Sequence, residues 1–80
     1  MPSILAQEPD RAALKWAEAQ LTYQEKRLTR AERQLQQAAT HEARRRQLSA
    51  VAERREQVEV WREEVAHRRM AALYHRLRSH

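Results

Sequence analysis

Leucine recurs every seven residues through the first half of the chain, at Leu14, Leu21, Leu28 and Leu35. Ala17, Ala31 and Ala38 stand three places further on in the same register, with Gln24 polar among them. Seven residues make nearly two helical turns, so this spacing predicts a coiled-coil seam. Valine takes over in the second half. Val51, Val58 and Val65 recur at the same interval, Ala72 continues the row, and Trp61 lies three beyond Val58. Leu48, Ala66, Met70, Leu73 and Leu77 widen that row into a stripe. Nothing alternates with a period of two, so the pattern predicts helices and no strands.

The two rows are out of phase. From Leu35 to Val51 is 16 residues, a rotation of roughly 160° at about 100° per residue. In one straight helix the rows would face nearly opposite sides. Between them, Thr40 to Gln47 contains no large apolar residue. The fold expected is all-α: an antiparallel, coiled-coil-like hairpin of two helices that turns within this gap. The expected parts are an N-terminal arm over 1–9, a first helix over 10–40 opened by Pro9 and an Asp10 cap, an Arg-rich turn over 41–46, a second helix over 47–78 and a tail over 79–80. A turn centred on Ala43 would set Leu35 opposite Val51, Leu28 opposite Val58, Leu21 opposite Val65 and Leu14 opposite Ala72. The gap holds no Gly, Pro or Asn, the residues that commonly end helices, and this keeps a single long helix as the alternative.

Leu14, Leu21, Leu28, Leu35, Val51, Val58, Trp61 and Val65 are the expected helix–helix core. Trp16 and Tyr23, seven apart, fall on another face, about 160–200° from Leu14, and read as a second interface. Composition points the same way. Of 33 broadly apolar residues, 14 are alanine and there is no Phe, which is thin for a solitary globule. A homodimer completing a four-helix bundle is therefore the expected assembly.

The absence of Gly and Cys removes phosphate-cradling loops, thiol catalysis and cysteine-bound zinc. Glu64 and His67 match the Glu-x-x-His element of di-iron bundles, but no second such element exists. His41-Glu42 begins like a zinc-protease helix, yet Arg45 stands where its second His should be. Ser3, Ser49 and Ser79 lack a convincing His and acid arrangement. No enzyme activity, metal, cofactor or small-molecule substrate is expected. The longest apolar run, Ile4-Leu5-Ala6, is too short for a membrane span or a signal-peptide core, so the chain reads as soluble and cytoplasmic.

The formal charge is +5, from 16 Lys and Arg against 11 Asp and Glu. Most of the excess lies after residue 40. Arg44, Arg45 and Arg46 at the expected turn are candidates for anion or nucleic-acid contact. A basic zipper is excluded by order, since there the basic helix precedes the leucine repeat.

In composition and pattern the chain resembles the small Arg/Gln/Glu-rich helical hairpins of bacterial secretion systems and of phage-encoded regulators. It is similar in composition to flagellar and type III export stalk proteins. The phase reversal across the apolar-free gap and the additional aromatic face together point to a non-enzymatic protein–protein interaction module, whether adaptor, regulator, inhibitor or assembly component. Its expected partners are a second copy and another protein. The alternative is a nucleic-acid-binding regulator using the Arg-rich turn and the basic C-terminal half.

Overall fold

The computed structural model describes the backbone of residues 2–78 and the side chains of residues 11–78. Two helices account for nearly all of it: α1, Pro2–Gln37, and α2, His41–Arg78. They pack antiparallel into a rod 60 × 17 × 12 Å. Among the described residues there is no strand, and no helix is long and apolar enough to cross a membrane. The hairpin therefore replaces the single-long-helix alternative.

The connection is Ala38–Thr40, earlier than the 41–46 expected from the apolar gap. Helix-terminal hydrogen bonding places it there. The Ala38 N–H closes a tight last turn on the Leu35 carbonyl at 3.2 Å. Thr40 then caps α2: its Oγ1 accepts from the Ala43 N–H at 3.0 Å, and its carbonyl accepts from the Arg44 N–H at 3.0 Å. A threonine oxygen at this position satisfies a donor that the helix start would otherwise leave unpaired. Glu42 adds negative charge in the first turn, where the helix dipole favours it. No described residue has positive φ, so this turn needs no glycine. The gap residues 41–47 are thus the opening turns of α2. At the other end, helical backbone runs from Pro2 through Pro9 and Asp10, where an arm and an Asp10 cap were expected. Pro2 suits the first helical position because its missing N–H would have no partner there. The expected tail at 79–80 lies outside the described residues.

Moving the turn changes the register. Counted from Ala39, Leu28 and Val51 are 11 and 12 residues away, Leu21 and Val58 are 18 and 19, and Leu14 and Val65 are 25 and 26. The leucine and valine rows still share the seam, and the α1 residues most enclosed with the valines are Ala17, Gln24 and Ala31. Trp16 and Trp61, 23 and 22 residues from Ala39, meet edge-on with ring centroids 5.2 Å apart, which agrees with this register.

Val51, Val58 and Val65 are buried, and only Val58 among the large side chains is buried almost completely. On α1 the fully enclosed positions are Ala17 and Ala31, with Gln24 at 8% exposure between them. The four leucines and Trp61 are half-buried. A leucine side chain extends past the narrow seam of two helices, and no third element covers its outer side. The small alanines sit where the helices approach, and nothing protrudes.

Thr40→Ala is expected to cost about 1 kcal/mol, the usual value of such a cap. In a domain of this size that lowers the melting temperature by about 4–8 °C. A thermal melt followed by circular dichroism checks it. An unchanged midpoint would mean that the cap does not set the turn.

Candidate interaction surfaces

The two long edges of the hairpin differ in charge chemistry. Glu18, Glu25 and Glu32 each stand four places after a seam leucine, and Arg55, Arg62 and Arg69 each stand four places after a seam valine. They join along one edge as Glu32–Arg55 at 3.7 Å, Glu25–Arg62 at 3.9 Å and Glu18–Arg69 at 3.7 Å. In each pair the arginine stands nine residues farther from Ala39 along the chain than the glutamate does. Helical side chains lean toward their own N-terminus. On α1 that direction leads away from the connection, and on α2 toward it, so the long side chains close the gap. Exposed pairs of this kind each contribute well under about 1 kcal/mol. Their main effect is to select which edges face each other.

This ladder consumes every acid of α1 between residues 11 and 37. The opposite edge has none of these, and the acid of α2 nearest to it, Glu64, is held by Arg68. A groove of about 330 Å³ opens there between the helices, floored by Ala31 and Ala50 and lined by Tyr23, Arg27, Arg30 and Arg54. The Arg27 guanidinium lies over the Tyr23 ring, 5.5 Å from its centroid. Arg27, Arg30 and Arg54 take part in none of the ion pairs among the described residues. The local sequence shows why: none of the three has an acid three or four places away on its own helix. By contrast Arg46 reaches Glu42 at 3.1 Å, Arg62 reaches Glu59 at 2.9 Å and Arg68 reaches Glu64 at 2.7 Å. The lack of such neighbours is legible in the sequence, but Arg33, Arg44, Arg69, Arg76 and Arg78 share it, so the groove itself is not.

The arginine triplet itself stands on the first turns of α2, all three side chains exposed, with Arg46 engaged by Glu42. Trp16 and Tyr23 are both more than half exposed on the groove side of α1. Trp16 is also a partner of Trp61 within the hairpin, so this face is not separate from the helix–helix contact.

A third feature lies at the open end. Met70, Leu73, Tyr74 and Leu77 follow an i, i+3, i+4, i+7 spacing on α2 and are 65, 45, 62 and 65% exposed. Arg68, Arg69, Arg76 and Arg78 accompany them, and no acid follows Glu64. Among the described residues no three His, Asp or Glu side chains cluster in a way that could hold a metal ion.

The class defined by these observations is an antiparallel two-helix hairpin with one charge-paired edge, one cationic edge and an apolar end. Comparison of the chain with protein-family models, curated proteins and solved structures finds no match.

Proposed function

We propose that this hairpin is a non-enzymatic helical interaction module, acting in the cytoplasm by binding another macromolecule. One observation carries the reading. Of the sixteen Leu, Val, Met, Trp and Tyr residues with described side chains, eight are exposed, four of them on the Met70–Leu77 stripe. Burying such a side chain is worth roughly 1.5–3 kcal/mol, and the hairpin alone leaves that stabilisation unrealised for half of them. An i, i+3, i+4, i+7 row is the spacing with which an amphipathic helix docks on a partner. Association of two hairpins into a four-helix bundle is part of the proposal, with other proteins as further occupants of the same side chains.

The stripe stands outside the seam, so Leu73→Asp/Leu77→Asp is expected to fold normally. Light scattering should give the wild type twice its 9.6 kDa chain mass and the variant the single-chain mass, with helicity retained. Equal masses for the two proteins, together with equal capture of partners from the native host, would defeat the reading.

A further inference from the structure

From the cationic groove we infer that this protein binds single-stranded nucleic acid along the edge opposite the ion-pair ladder. Arg27 and Arg30 come from α1 and Arg54 from α2, so the hairpin brings together guanidinium groups that are far apart in sequence. Arg27 and Arg54 are half-buried, and gathering like charges there opposes folding unless an anion is present. Every other arginine of the hairpin's middle that lies near the seam has a carboxylate: Arg55, Arg62, Arg68 and Arg69 are all paired. The groove arginines are the exception. Their planar forks suit phosphate oxygens.

The aromatic residues decide which anion. Tyr23 lines the groove, and Trp16 stands seven residues before it on the same face, each more than half exposed. A heptad of helix is about 10 Å long, so Tyr23 beside the arginines and Trp16 one heptad beyond, against Trp61, form a spaced aromatic row. Arginines that track a phosphate chain, with aromatic planes on which bases stack, form the recognition surface for a single strand. Paired bases in a duplex would present no face to these rings. Acidic peptides would satisfy the arginines but leave the rings unused. The site differs from the Arg44–Arg46 tip, and it does not depend on the apolar end of α2.

Fluorescence anisotropy of the full chain with a labelled oligothymidylate of about 20 nucleotides, longer than a typical single-strand site, tests this. Three phosphate contacts on a single strand predict a log–log salt slope near 2, which is about an 18-fold loss of affinity from 50 to 200 mM salt. Arg27→Gln/Arg30→Gln/Arg54→Gln should weaken binding at least tenfold and flatten the salt dependence. Arg30→Glu, at an exposed position that leaves the seam untouched, should do so alone and keeps the test decisive if the triple variant is poorly folded. Tyr23→Leu should weaken oligothymidylate but not inorganic polyphosphate. Arg44→Gln/Arg45→Gln/Arg46→Gln and Leu73→Asp/Leu77→Asp should bind like the wild type. Absence of binding at 50 mM salt would overturn the inference. So would equal affinity for duplex, unaltered binding by Arg30→Glu, or a loss in the tip variant as large as in the groove variants.

Discussion

Val58→Asp is expected to abolish the hairpin. Val58 is the most enclosed large side chain, at 2% exposure. It stands in the middle of a seam whose other buried members are two valines, two alanines and one glutamine. A carboxylate there would lose its hydration, and Arg54, four places before it, could meet it only by leaving the groove edge for the seam. The nearest paired arginines are turned to the edge, where Glu18, Glu25 and Glu32 hold them. Burying an unpaired polar or charged group costs several kcal/mol, and a single core of this size supplies only about 3–5 kcal/mol. Circular dichroism should show the loss of cooperative melting, with residual helicity of separate helices at most. A two-state melt within a few degrees of the wild type would show that the valine row is not the core.

Gln24→Leu should act in the opposite direction. Gln24 is buried, and its Oε1 accepts no hydrogen bond. It stands midway between the buried Ala17 and Ala31, seven residues from each, so the middle of the seam carries a polar residue. Leaving a buried acceptor unsatisfied costs about 1–3 kcal/mol, and leucine removes that cost while adding apolar burial. The expected result is a gain of about 1–2 kcal/mol, read as a rise of roughly 5–15 °C in the melting midpoint. A polar seam residue also selects among registers and partners. The variant should therefore show broader association by light scattering alongside its higher midpoint. A lower midpoint would mean that Gln24 is bonded in solution and contributes to stability.

The two rows Leu14–Leu35 and Val51–Val65, with their opposite phase, were sufficient to predict two helices that fold back on each other. Sliding one row past the other by seven residues, toward the Ala43-centred pairing, keeps leucine opposite valine or alanine and gives Glu32, Glu25 and Glu18 the arginines at 62, 69 and 76 instead. Periodicity therefore cannot choose between a turn at Ala43 and one at Ala39. The cap could have done so, since Thr40 followed by Glu42 is a helix-start signal. It lies at the edge of an apolar gap that reads more naturally as a loop. The core was legible at the valines and less so on α1. Large leucines suggest burial by type, yet in a two-helix seam the closest approach belongs to Ala17 and Ala31. The exposed row at Met70, Leu73, Tyr74 and Leu77 was visible as spacing, but it read as a widening of the valine stripe. Only packing separates a seam from a row left outside it.

By itself the sequence determined the helical class, the pairing of a leucine ridge with a valine ridge and the absence of glycine- and cysteine-dependent chemistry. Each of these follows from side-chain type and from the fixed rotation of about 100° per residue. Tertiary structure alone decided the heptad in register, the division of charge between a paired and an unpaired edge, and the meeting of Arg27, Arg30 and Arg54 in one groove. Those features depend on which residues of one helix stand beside which residues of the other. A repeating pattern leaves that choice open until hydrogen bonds at the connection select a single alignment.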